Sequence, residues 1–200
     1  MDINLTSKLF LYLIVVISAV FHEYFHGWAA FRMGDSTAKD AGRLTLNPLK
    51  HMDPFGTVLI PLLLLFFAGG FIGWAKPVPY NPFNLRDRKY GSTKVALAGP
   101  LANFAIALIF GLAIRFLPIT GSLREIFFEI GYINVFLAFF NLIPIPPLDG
   151  SKLLMDLMPR SQVLRFLEQS LVGMFIALAL AMMFLPYLAS WTYYFITGIL

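Results

Sequence analysis

Apolar runs of membrane-crossing length alternate along this chain with polar, proline-rich loops. Residues 9–31, 92–116 and 163–185 are each apolar enough, and long enough, for a helix of about 20 residues that crosses a bilayer. A further run starts near Tyr132 and extends to 157. Pro144, Pro146, Pro147 and Gly150 interrupt it, which predicts a broken helix there. Residues 55–74 also carry no charge, but Gly56, Pro61, Gly69, Gly70 and Gly73 leave only a short purely apolar part at 62–68. That stretch reads as a full span, a buried half-helix or a re-entrant hairpin. Residues 119–131 read as a connection in which Ser122 caps a brief amphipathic piece. Residues 187–200, beyond Pro186, are too short for a span and suit the membrane interface. In the loops, 41–46 alternates weakly enough for a short strand, and Lys76-Pro77-Val78-Pro79 favours extended backbone. The expectation is an all-α polytopic membrane protein. It is a bundle of about four to six membrane-embedded segments, with a broken helix at the Asp149 motif and short strand-like loops, forming one domain over residues 1–200.

Composition narrows the class. Of 200 residues, 58% are hydrophobic and 13% charged, and a soluble domain of this size cannot cover its surface with so little charge. The lipid bilayer is therefore the expected surrounding. The net charge of +4 says little about partners, and nothing in the chain points to nucleic acid. With no cysteine, a metal site must draw on His, Asp or Glu. The first run is too long for a signal-peptide core and has no small-residue cleavage site after it, so no cleavable leader is expected. Neither is an appended soluble domain, a repeat or a low-complexity tract.

The chemistry starts at His22-Glu23-Tyr24-Phe25-His26, in the C-terminal half of the first run. Residues four apart on a helix lie about 40° apart around the axis, so the two imidazoles share a face. They make half of a tetrahedral zinc site, with Glu23 beside them to take a proton from an attacking water. Three ionisable groups in hydrocarbon are costly without partners, which favours a functional reading over hydrogen-bonded core histidines. Asp149, inside the broken helix, is the candidate third ligand. It could instead cap the helix that follows, but the histidine pair favours the metal. His51 and Asp53 also tempt as ligands, although a lone histidine in a polar loop is more often exposed. Asn103 reads equally well as an interhelical hydrogen-bonding group or as a donor to a peptide carbonyl or developing oxyanion. Ala98, Gly99 and Ala102 beside it suit close helix approach.

The ligands must meet at one depth, so the His-bearing and Asp149-bearing segments should cross in the same direction. That requires residues 55–74 not to cross fully. Basic residues agree: with a re-entrant 55–74, twelve of the fifteen Lys and Arg share one side against Lys8, Arg115 and Arg124, whereas a full crossing gives nine to six. The N-terminus is then outside, and the site faces the cytoplasm.

Three motifs in order complete the pattern: His22-Glu23-x-x-His26, then Gly99-Pro100-Leu101-Ala102-Asn103, then Asn141-x-x-Pro144-x-Pro146-x-x-Asp149-Gly150. Together they resemble the site-2 protease family of intramembrane zinc metalloproteases, over essentially the whole chain, in a minimal form without PDZ or CBS domains. The resemblance implies one zinc per chain on His22, His26 and Asp149, with Glu23 as general base. It implies that Asn103 and Asn141 handle the substrate backbone. It also implies a multi-pass cell-membrane enzyme whose substrate is a transmembrane or membrane-associated protein, cut within or near the bilayer. Two rival readings keep the same residues: a membrane metal-ion transporter, and a non-catalytic, zinc-stabilised protein that binds helices.

Overall fold

The computed structural model describes residues 5–67 and 73–199. The described residues form eight α-helices: α1 (Leu5–Arg32), α2 (Thr37–Asp40), α3 (Ile60–Phe67), α4 (Gly91–Phe116), α5 (Gly121–Leu142), α6 (Ser151–Leu157), α7 (Gln162–Gln169) and α8 (Leu171–Thr197). Four of them, α1, α4, α5 and α8, are long and apolar enough to cross a membrane. The chain is a polytopic helical membrane protein.

Packing follows a four-residue period. In α4 the buried positions include Gly91, Val95, Gly99, Asn103, Ala107 and Gly111; in α8 they are Gly173, Ala177, Ala181, Leu185, Ala189, Tyr193 and Thr197. Small residues every fourth position let backbones approach closely, as suits helices that gain little hydrophobic energy from meeting inside lipid. In α1, Ile14, Ser18, His22 and His26 form the matching buried stripe, while Leu5, Leu9, Leu13 and Ile17 face outward. Helix α4 is central. It runs antiparallel to α1, since His26 meets Val95 while Ser18 meets Asn103. A four-residue link joins it to α5, so α5 returns parallel to α1, and the Asp149 loop emerges at the end of the bundle where the histidines lie.

Residues 55–74 return to where they left. The Trp74 amide donates to the Gly56 carbonyl at 3.0 Å, and Thr57 Oγ1 donates to the Trp74 carbonyl at 2.8 Å. Tyr12 OH donates to the Thr57 carbonyl. Val78, four residues beyond Trp74, meets Glu23. Tyr12 and Glu23 are eleven residues apart, about 16 Å of helix rise, so the stretch enters alongside α1, well below the loops, and comes back. Within it, 68–72 lie outside the described residues.

Five sequence expectations need correction. Residues 121–131 are the first turns of α5, not a connection, because 132–142 alone is too short to span. No side chain caps α5, so Ser122 has no such role. The last span starts at Leu171 rather than 163: Ser161 Oγ caps α7, whose polar residues Arg165 and Glu168 do not suit a span, and the chain breaks at Ser170. Helix α8 then continues through Pro186 to Thr197, so 187–197 is not an interfacial tail; the final residue, 200, lies outside the described residues. Tyr193, fully buried against α4 and α5 with its OH on the Phe127 carbonyl, holds the turns beyond the proline. Finally, no strand forms among the described residues: 41–46 is turn and bend, and 73–81 is extended but unpaired into a sheet.

Candidate metal centre

Three elements bring the ionisable residues together. The four-residue stripe of α1 puts His22 and His26 on the face packed against α4. The break after α5 arises where prolines deny the backbone its helical bonds. The Gly150 amide instead closes back on the Asn141 carbonyl at 2.7 Å, and a Cβ on Gly150 would collide with Leu142 and Ile143 backbone, so the turn needs glycine. That turn carries Asp149 to the histidines. The Nε2 atoms are 2.9 Å apart, and Asp149 Oδ2 lies 3.0 Å from His22 Nε2 and 3.2 Å from that of His26. No side chain caps α6, so the Asp149 carboxylate serves the imidazoles and not the helix.

This triangle suits a zinc ion. Tetrahedral zinc with bonds of about 2.0–2.1 Å separates its donors by about 3.3 Å, close to the three edges observed. Two imidazoles and a carboxylate are a donor set that zinc takes with a fourth position left open. Both rings also turn the correct nitrogen inward. His26 Nδ1 donates to the Val95 carbonyl at 2.8 Å and His22 Nδ1 lies 2.6 Å from Asn103 Oδ1, which leaves both Nε2 lone pairs in the triangle. His22, Glu23 and His26 by themselves form a cluster able to hold a metal.

Gly99 forms the floor. A Cβ there would lie 2.6 Å from both Nε2 atoms, so any side chain would intrude on the triangle. Sequence reasoning assigned this glycine only to helix packing; its position four residues before Asn103, on the same α4 face, carried the missing signal.

Glu23, with a carboxylate oxygen within 4.8 Å of a ring nitrogen of each histidine, also meets an extended strap. Its Oε2 accepts from the Val78 amide at 2.7 Å. The strap is seated by alternate residues: Trp74, Lys76 and Val78 amides donate to Gly56, His51 and Glu23 respectively, as a strand's period of two requires. Arg43, buried, clamps the strap through the Lys76 carbonyl at 2.7 Å. Val78 packs its side chain beside Gly27, one turn beyond Glu23, where a Cβ would come within 3.0 Å. The strap and its contact to Glu23 were not foreseen from sequence, because the bond uses a backbone amide.

The remaining candidates separate. Asn103 is fully buried, with Nδ2 donating to Asn134 Oδ1 at 2.8 Å, so its amide is engaged at both ends. Asn141 is half-buried, with Nδ2 on the Leu137 carbonyl. His51 is not an exposed loop histidine: it is 1% exposed and bonds the Thr45 carbonyl through Nε2, away from the triangle. Asp53 caps the turn at Phe55 and Gly56.

Comparison with known proteins gives the family. The profile of peptidase family M50, the site-2 protease family, matches residues 10–121 and 117–185. The chain is 38% identical over 159 residues to the Bacillus subtilis (strain 168) protein named "Putative zinc metalloprotease YwhC", covering 75% of this chain and 69% of that one. It is 34% identical over 141 residues to the Mycolicibacterium smegmatis protein named "Putative zinc metalloprotease Rip2", covering 68% of this chain and 52% of that one. It is 43% identical over 101 residues to the Methanocaldococcus jannaschii protein named "Putative zinc metalloprotease MJ0611", covering half of each. The chain thus spans about half the length of the latter two relatives. No solved structure gives a significant match. A histidine pair, a carboxylate from a broken helix and a profile match across most of the chain converge on one conclusion: this chain belongs to peptidase family M50.

Proposed function

We propose that this protein is an intramembrane zinc endopeptidase that cuts membrane-protein substrates at the end of the bundle where its loops gather. The observation that carries the proposal is the meeting of His22, His26 and Asp149 within 3.2 Å, with Glu23 on the adjacent turn face. His22, His26 and Asp149 would hold one zinc ion per chain. Bound there, zinc supplies a Lewis acid that acidifies water and polarises a peptide carbonyl.

The chain's own groups do the rest. Val78 N–H fixes Glu23 Oε2, which leaves Oε1 to take a proton from the attacking water. As hydroxide adds to the scissile carbonyl carbon and the C–N bond breaks, Glu23 Oε1 delivers that proton to the leaving amine. The break at 143–150 opens the helix end beside the site, and the Asp149 side chain, 20% exposed, marks the route for water. A helical substrate must unwind to present its carbonyl, because that group is otherwise bonded within the helix. Asn141 lies at the edge of the break, where it can meet the substrate backbone. Asn103, with its amide occupied, instead orients His22. An extended peptide can pair with the strap along its outer edge only. Pro77 and Pro79 lack amide hydrogens, so Ala75 is the donor there.

The charge distribution supports a cytoplasmic site in the cell membrane. Loops 32–90 and 143–170 together with the loop-side helix ends hold twelve of the fifteen Lys and Arg, and positive residues gather on the cytoplasmic side. The test is cleavage of a transmembrane reporter by purified protein in lipid. Chelation should stop cleavage, and added zinc should restore it. Zinc flux into vesicles without cleavage would overturn the protease reading in favour of transport.

A further inference from the structure

Behind His22, away from the triangle, three helices meet through a run of buried polar side chains. Asn134 Nδ2, on α5, donates to the Ile130 carbonyl at 2.8 Å and to Ser18 Oγ, on α1, at 2.9 Å. Asn134 Oδ1 accepts from Asn103 Nδ2, on α4, at 2.8 Å, and Asn103 Oδ1 lies 2.6 Å from His22 Nδ1. Ser18 is 3% exposed, and Asn103 and Asn134 are fully buried, so solvent cannot substitute for a missing partner.

The direction of this run is set from its far end. A backbone carbonyl can only accept, so Asn134 must turn its NH2 toward Ile130. Its Oδ1 then faces Asn103, which must answer with its own NH2. Asn103 Oδ1 is therefore what His22 meets, and His22 Nδ1 must carry the hydrogen. The lone pair stays on Nε2, inside the triangle. A flipped Asn103 would press its NH2 on Nδ1, move the hydrogen to Nε2 and leave His22 unable to bind an ion. The Ser18 carbonyl lies 3.5 Å from Asn103 Nδ2, too long to hold that amide firmly. His26 needs no such relay, because its Nδ1 faces the Val95 carbonyl directly.

We infer that Asn134, anchored on the Ile130 carbonyl and Ser18 Oγ, is a positioning residue that selects the metal-binding tautomer of His22 through Asn103. The inference rests on the reading of His22 as a zinc ligand. It makes the relay, and not a single neighbour of His22, the unit that prepares the site.

The test is zinc affinity by chelator competition on the purified full chain, with thermal unfolding of the metal-free forms as a check of the fold. Asn134→Leu keeps the branched outline of the side chain and removes the anchor; it should weaken zinc binding by about 10- to 100-fold, as loss of a partner behind a metal-bound histidine does. Asn134→Ala serves if the leucine variant does not fold. The deciding variant is the double change Asn103→Asp with Asn134→Leu. A carboxylate can only accept from His22 Nδ1, whatever stands at 134, so the double variant should recover most of the lost affinity. Wild-type affinity in Asn134→Leu would overturn the inference alone. So would a loss that Asn103→Asp fails to rescue, since that is what a purely structural Asn134 gives. A wild-type chain that takes up no zinc would overturn the underlying ligand reading as well.

Discussion

Single atoms decide whether the site can work. A methyl group on Gly99 would sit 2.6 Å from both inward imidazole nitrogens. Overpacking of this kind costs about 1–3 kcal/mol, so Gly99→Ala should weaken zinc binding roughly ten- to hundredfold, measured by chelator competition. The Val78 amide is as specific a contact. Val78→Pro removes the donor to Glu23 Oε2 between two residues that are already proline; it should slow reporter cleavage about tenfold or more, the worth of a hydrogen bond to a charged group, with zinc content unchanged. Equal cleavage rates would remove the strap from the mechanism. That His22, His26, Asp149 and Glu23 would gather was readable in the sequence, because the histidine spacing and the cost of ionisable groups in an apolar run are properties of side chains. The roles of Gly99 and Val78 were not, because one acts by having no side chain and the other through its backbone.

Among the elements, the loops depend on one carboxylate. Asp35, fully buried, accepts from the Thr37 amide at 3.2 Å, Thr37 Oγ1 at 2.6 Å, the Asn81 amide at 2.7 Å and Asn84 Nδ2 at 2.9 Å, which ties the end of α1 to the end of the strap. Burial pushes its carboxyl up, but these hydrogen bonds outweigh burial and hold it below the ordinary range. A carboxyl depressed in the fold stabilises it fully above its unfolded value near about 4, and the contribution is lost as pH falls through the lower folded value. Protection of the Asn81 amide from hydrogen exchange, relative to its intrinsic rate at each pH, should therefore fall below about pH 4, and Asp35→Asn should show that lowered protection already at pH 7. Protection that ignores both changes would show that Asp35 is not the latch. The spans themselves followed from hydropathy, since length and apolarity fix them. Their ends did not: Arg124, Glu125 and Glu129 made the start of α5 look like a loop, and Pro186 hid the continuation of α8, which only the burial of Tyr193 against its neighbours explains.

The whole bundle is ordered by where its chain crosses. Because residues 56 and 74 meet, α1 and α5 run in one direction and the loops that hold the strap and Asp149 share one end. The absence of cysteine makes this directly measurable. Single cysteines at Lys39 and Arg88 should label from the same side, and one at Lys8 from the other; Lys39 and Arg88 on opposite sides would contradict the arrangement. The sequence carried this topology in its distribution of basic residues, but the route of the strap along α1 depends on long-range backbone bonds that no local pattern encodes. On the proposed function, this arrangement serves a reaction at Glu23. The most direct test is zinc content and cleavage of a transmembrane reporter, measured on the same samples of wild type and Glu23→Gln. Both should hold one zinc per chain while the variant loses cleavage by about 10²- to 10⁴-fold, as removal of a general base does. A Glu23→Gln protein that retains zinc and cuts at the wild-type rate would contradict the account.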